Sequence, residues 1–281
     1  MNPSATLAAT AGGAASLAKT GPACGYQAPA VQKAFQVLHA VARSKNGIGL
    51  SQLAQDLGFS KSTTHGLIRA LKNAGAVSHH ARGKKLCIGP AILELVFMNW
   101  NYFQLQETAQ PILDNLRDRV GETVILGGLT RYAGLIMAHA ETGKPMKISA
   151  PPGTEIPLLA GAVGKVFLSH FTDTEAAAII AGHGLERYTR RSIVDVTEYL
   201  AEIAQVRRRH YALDNEEYLP GVRAAAVDLG DHRGLVLALW VVGFASGMDS
   251  GKMAQIVPEM LLAAGELKQR LNGLTEGSFA G

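Results

Sequence analysis

Residues 50–75 read LSQLAQDLGFSKSTTHGLIRALKNAG, and their spacing constrains the fold more than any other stretch. Leu50, Leu53, Ala54 and Leu57 fall at i, i+3, i+4 and i+7, one face of a helix. Gly58-Phe59 interrupts the pattern, and Ser60 stands where a second helix needs a cap. Thr64, Leu67, Ile68 and Leu71 repeat the spacing, and Gly75 supplies a C-terminal stop. Two short helices around a glycine-bearing turn form a helix-turn-helix. The second helix keeps Lys61, Ser62, Thr63, His65, Arg69 and Lys72 off its apolar stripe, where they can donate to phosphates or reach base edges. An ordinary helical hairpin with a solvated face carries the same pattern, so an independent signal is needed.

Charge distribution supplies it. Residues 1–93 hold ten Lys/Arg and a single acid, Asp56, for a net +9; residues 94–281 hold 17 Lys/Arg and 22 Asp/Glu, for a net −5. A basic segment coinciding with a helix-turn-helix points to double-stranded DNA as a partner. Short strand candidates at Ala76–His79 and Lys85–Ile88 flank the turn Ala81-Arg82-Gly83-Lys84. The hairpin makes this a winged helix, with Arg82, Lys84 and Lys85 suited to the DNA backbone or minor groove. Val31–Val41 reads as a helix ahead of it, and Ile48–Leu50 as a short strand. His79, His80 and Cys87 match no common zinc spacing. Cys24 and Cys87 are the only cysteines, so no disulfide framework is expected and the expected location is cytoplasmic. The Ala/Gly-rich start lacks a signal peptide's basic and apolar regions, and no apolar run reaches the ~18 residues of a membrane helix.

Pro90–Phe103 is apolar nearly all round and is expected to be a linker helix at a subunit contact. Pro111 is read as starting a further helix that ends at Gly121. Beyond it, Thr123–Leu129, Leu135–Ala140 and Lys147–Ser149 read as strands. Gly161–Ser169, Thr174–Ala181 and Val196–Arg209 read as helices, then Val222–Leu229 and Leu235–Val242 as strands, and Met253–Leu271 as a final helix. Strands at both ends with helices between give an α+β domain, an antiparallel sheet with packed helices. Gly161–Lys165 lacks the glycine spacing and the Ser/Thr of a phosphate loop. Asp214, Glu216 and Glu217, three acids in four residues, read as a solvated loop rather than a catalytic pair. No nucleophile, metal or cofactor pattern is present, so neither catalysis nor a cofactor is expected.

The order of these elements, with PLLAGAVGKVFL (157–168) and YALDNEEYLPGVRAAAV (211–227), resembles the IclR family of bacterial transcriptional regulators over about residues 30–272. The resemblance implies a winged-helix reader, a linker helix and a GAF-like effector-binding domain. It also implies homodimers, often paired into homotetramers, on catabolic promoters. The expected boundaries are a flexible tail at 1–27, the reader at 28–90, the linker at 91–106, the sensor at 107–273 and a C-terminal tail at 274–281. Lys61–Arg69 would be the recognition helix, with Gly66 where the family usually has arginine. The effector pocket would use Leu159, Ala160, Gly161, Asp214, Glu217, Ala224, Trp240 and Val242. Leu159, Gly161, Ala224, Trp240 and Val242 stand where the family carries His, Thr, Cys or Ser and small hydroxyls. Losing those donors favours an aromatic or hydrophobic effector over a small oxoacid. The alternatives are a constitutive DNA-binding regulator whose sensor is filled by Trp240, and a small-molecule hydrolase carrying a DNA-binding segment.

Overall fold

The computed structural model describes residues 5–6, 28–44, 46–79, 85–99, 102–130 and 133–276. The chain divides into two compact units, one spanning residues 12–102 and one spanning 103–281 together with 1–11. Within the segment expected to be a flexible tail, a two-residue strand, β1 (Ala5–Thr6), pairs in parallel with Ile148–Ser149.

The 12–102 unit contains α1 (Pro29–Arg43), α2 (Leu50–Asp56), α3 (Lys61–Asn73), β2 (Val77–His79), β3 (Leu86–Ile88) and α4 (Pro90–Asn99). Proline in the first turn of α1 costs no hydrogen bond, because that N–H lacks a helical partner in any case. Gly58, at φ +64°, turns the chain between α2 and α3. Ser60 then caps α3, its hydroxyl accepting the Thr63 N–H at 3.1 Å. The periodic apolar residues close one small core of Val37, Val41, Leu53, Ile68, Val77 and Leu86. Strands β2 and β3 pair antiparallel, Val77 opposite Ile88. Ile48, expected to begin a strand, makes a single bridge to Leu86, and Leu50 opens α2 instead. In the helix the α2 stripe turns Leu53 and Ala54 into the core, with Leu50 and Leu57 packed beside them.

The second unit opens with α5 (Tyr102–Val120), which begins nine residues before Pro111, the position expected to start it. Pro111 removes one intrahelical hydrogen bond on the exposed face. The helix continues because Leu105, Ala109, Ile112, Leu113, Leu116 and Val120 are buried along its other face. Gly121, at φ +69°, ends it, its N–H reaching Arg117 O at 2.7 Å. There follow β4 (Thr123–Leu129), β5 (Ala133–Ala140), β6 (Ile148–Ser149) and β7 (Glu155–Pro157), then α6 (Gly161–Leu168), α7 (Asp173–His183) and α8 (Val196–Arg209). The unit closes with β8 (Tyr211–Asn215), β9 (Val222–His232), β10 (Leu235–Phe244) and α9 (Ser250–Glu276). Six strands form one antiparallel sheet in the order β7-β5-β4-β10-β9-β8, so the fold is α+β. Strand β6 stands outside that sheet.

Strand β8 has no counterpart in the sequence reading, which took its acids as a solvated loop. Its partner β9 begins seven residues later, and the pairing places Asp214 opposite Ala224 with only 4% of its surface exposed. A short amphipathic run becomes a strand when a long neighbour supplies its backbone partners.

Candidate functional site

Two surfaces collect the residues singled out by chemistry, one in each unit. In the first, α3 buries Thr64 and Ile68 and leaves Lys61, Ser62, His65, Arg69 and Lys72 exposed. The Ser62 and Thr63 hydroxyls join the helix cap, lying 3.0 and 2.8 Å from Ser60 Oγ. They therefore belong to the cap and are less available for base contacts than Arg69. Lys85 is exposed at the start of β3, while Arg82 and Lys84 lie outside the described residues. The only acid among residues 1–93, Asp56, is occupied at 2.6 Å by Gln52 Nε2. An exposed helix face of cations and polar groups with so little opposing charge matches a polyanion.

In the second unit a cavity opens between α6 and one face of the sheet. Sheet register sets its wall in two rows. Asp214, Ala224 and Val242 lie side by side on β8, β9 and β10, and Trp240 and Ile125 form the next row. The opposite wall is Ala160, Gly161, Ala162 and Val163, the start of α6. Tyr218, Leu219 and Val222 close the rim. The first turn of a helix leaves amides without carbonyl partners in their own helix, and here that turn lines the cavity. The polar end is thus the amides of Gly161–Val163 with the Asp214 carboxylate, and the remainder is apolar. The room left is about 50 Å³, against the ~150 Å³ of a cavity that admits benzene.

Asp214 is held by geometry at the α6 terminus. Its Oδ1 accepts the Glu217 N–H at 2.6 Å. A Cβ at position 161 would stand 2.3 Å from its Oδ2, and Gly161 sits at φ +56°, so a side chain there would displace the carboxylate and strain the backbone. Burial pushes the carboxyl up to about 6, with backbone N–H bonds and Lys165 opposing and Glu217 adding to the rise.

Of the expected pocket residues, Ala160, Gly161, Asp214, Ala224, Trp240 and Val242 converge on the cavity. Leu159 does not: it packs with the Leu168, Ile180, Tyr199 cluster, and its carbonyl accepts from Tyr199 Oη at 3.1 Å. Glu217 does not either, because it turns under α6 to meet Lys165 Nζ at 2.8 Å. Lys165 entered the sequence reading only as part of a rejected phosphate loop, and its structural role was missed. It is 1% exposed, donates to Leu213 O at 3.0 Å and ties α6 to the β8–β9 connection. The signal was present as the one charge in the apolar run GAVGKVFL. The connection itself is fastened from outside: Thr189 Oγ1 and Ser192 Oγ donate to Glu216 O and Glu217 O, each at 2.7 Å. The Tyr188 ring meets Tyr218 edge-on at 5.0 Å between centroids.

A helix-turn-helix with a basic exposed helix, followed by a sheet domain enclosing a small polar-ended cavity, defines the class of one-chain transcriptional regulators. Comparison with known proteins gives the family. Residues 30–81 match the IclR helix-turn-helix domain and residues 100–268 match the bacterial transcriptional regulator IclR C-terminal domain. The chain is 30% identical over 239 residues to the HTH-type transcriptional regulator BhcR of Paracoccus denitrificans, covering 85% of each chain. It is 28% identical to the transcriptional repressor IclR of Escherichia coli, covering 91% of this chain and 94% of that one. An IclR transcriptional regulator from Silicibacter shares the fold at a TM-score of 0.77 and 24% identity, over 86% of this chain and 96% of the other. The chain belongs to the IclR family of bacterial transcriptional regulators. It is a DNA-binding transcriptional regulator, and these relatives are regulators rather than enzymes.

Proposed function

We propose that this regulator senses an aromatic or hydrophobic catabolic compound bearing one acidic or hydroxyl group, and that binding alters its hold on operator DNA. The cavity carries this reading. Amides at the start of α6 and Asp214 offer one polar end, and Ile125, Trp240, Val242 and Ala224 offer an apolar body. A carboxylate is favoured at the α6 amides by the helix dipole, whereas a hydroxyl donates to Asp214. A ring needs more room than 50 Å³, so entry requires Tyr218 and Leu219 on the β8–β9 connection to move aside. An IclR homologue from Microbacterium hydrocarbonoxydans, 18% identical with a TM-score of 0.67, is known in complex with 4-hydroxybenzoate. That compound belongs to that protein, and a phenolic acid bound by a homologue of the same fold supports the aromatic reading.

Lys61, Ser62, Thr63, His65, Arg69 and Lys72 form the operator-reading face in this proposal, with Arg82, Lys84 and Lys85 on the wing. Two copies read two half-sites, as recognition helices in successive major grooves require. Val31 and Phe35, one turn apart on α1, and Leu93 and Leu95 on α4 are each more than half exposed, apolar surface that a second copy would cover. Sedimentation at micromolar concentration checks this, and a clean monomer would overturn it. The expected location is cytoplasmic; among the described residues no helix is long and apolar enough to cross a membrane. The small residual room favours a second reading, a constitutive regulator whose sensor is filled by Trp240. Trp100→Phe leaves Trp240 as the only tryptophan. Titrating that variant with aromatic acids, phenols and short oxoacids, with operator binding measured alongside, separates the readings. Response to oxoacids alone would contradict the aromatic reading, and response to nothing would favour the filled sensor.

A further inference from the structure

The effector cavity ends at Trp240, and the reason lies beneath the indole. Trp240 on β10 pairs with Ile125 on β4, and the next positions on the same face are Ala238 and Gly127, which pair with each other. A Cβ at Gly127 would stand 2.5 Å from Trp240 Cη2 and 2.9 Å from Cζ3. The six-membered ring therefore occupies the space that any side chain at 127 would fill. Ala238, fully buried, is the smallest side chain that keeps the other half of this niche open. Trp240 and Ile125 line the cavity while Gly127 and Ala238 do not, so the indole separates the cavity from the floor of the niche. The indole is 5% exposed, and Gly127 serves both neighbours: a Cβ there would also stand 2.6 Å from Leu135 O, where the β4–β5 register shifts.

We propose that Trp240, seated on Gly127 and Ala238, sets the length of effector this regulator accepts, shortening the cavity by one aromatic ring. The proposal rests on the reading of this cavity as the effector site. Removing the ring would extend the cavity over Gly127, as truncation of a buried side chain leaves space that the surroundings fill only in part. A dry, apolar void of that kind accepts apolar rings.

The test is a thermal-shift and calorimetric comparison of the wild-type chain and Trp240→Ala, using benzoate, 2-naphthoate and indole as probes. The wild-type chain is expected to favour benzoate over 2-naphthoate by at least tenfold, and Trp240→Ala to reverse that order. Indole should stabilise Trp240→Ala and leave the wild-type midpoint unchanged. Trp240→Phe removes one ring only, keeps the fold if the alanine variant does not, and should move the preference part of the way. A folded variant that keeps the wild-type order of benzoate and 2-naphthoate overturns the proposal. Binding of neither acid to any variant overturns the effector-site reading and the proposal with it, and indole binding to Trp240→Ala would then show that the niche exists without an effector space joined to it.

Discussion

Helix α3 and the cavity beside α6 place their candidate groups in opposite ways. On α3 the apolar residues are consumed by the core, and what remains exposed is the candidate reading surface. In the sensor the candidate groups are interior, mixed with core residues on one face of a sheet, and several are apolar themselves. Surface function leaves the fold's stability nearly untouched when it is mutated, whereas interior function cannot be separated from packing. Substitutions in the two units should therefore fail differently, and the size of each effect tests that contrast.

The largest effect is expected at Lys165. Lys165→Met removes the partner of Glu217 in a nearly water-free site and should cost about 3–5 kcal/mol of unfolding free energy. Adding Glu217→Gln should recover part of that loss, because Glu217 then carries no unpaired charge. Chemical denaturation of the single and double variants reads this out. Loss of under about 1 kcal/mol would mean the pair is hydrated and the interior assignment wrong.

Asp214 comes next, and its sign is fixed by its environment. Its carboxyl titrates near 6 in the folded chain, above the ordinary value of about 3.9. The folded state then binds more protons than the unfolded state between those values, and stability falls as pH rises through that window. Asp214→Asn cannot ionise, so its stability relative to wild type should improve from pH 4 to pH 7 by up to about 3 kcal/mol, at about 1.4 kcal/mol per pH unit. A difference that stays constant with pH would remove the buried-carboxylate description.

The reading surface should give smaller effects and no stability cost. Arg69→Ala is expected to weaken operator binding by about 1–3 kcal/mol if it pairs with guanine, with an unchanged denaturation midpoint. A shift in the midpoint would place Arg69 in the fold instead. Changing Arg82, Lys84 and Lys85 together to alanine should weaken binding to all DNA and reduce the salt slope by up to about 0.9 per lost phosphate contact. An intact slope would take the wing out of the interface.

The same contrast explains what could be read from sequence. Lys61–Asn73 was legible because its period, cap and stop are local. Helix α8 and strand β4 lie where their periodicity put them, Val196–Arg209 and Thr123–Leu129. Strand β8 and the burial of Asp214 were not legible, because they depend on pairing with β9 and on α6 lying across them. Leu159 and Ala160 are adjacent in a turn without periodicity, so sequence could not tell which one faces the cavity. Pro111 misled because the helix ahead of it is held by tertiary burial rather than by propensity.

The most direct test of a sensor coupled to a reader is operator affinity measured with and without saturating ligand, using the aromatic acid that most strongly perturbs Trp240 fluorescence in Trp100→Phe. Coupling between two sites of this kind is typically 5–150-fold, and a change in operator Kd of at least about fivefold is expected. Saturation of the Trp240 signal with an unchanged operator Kd would contradict it.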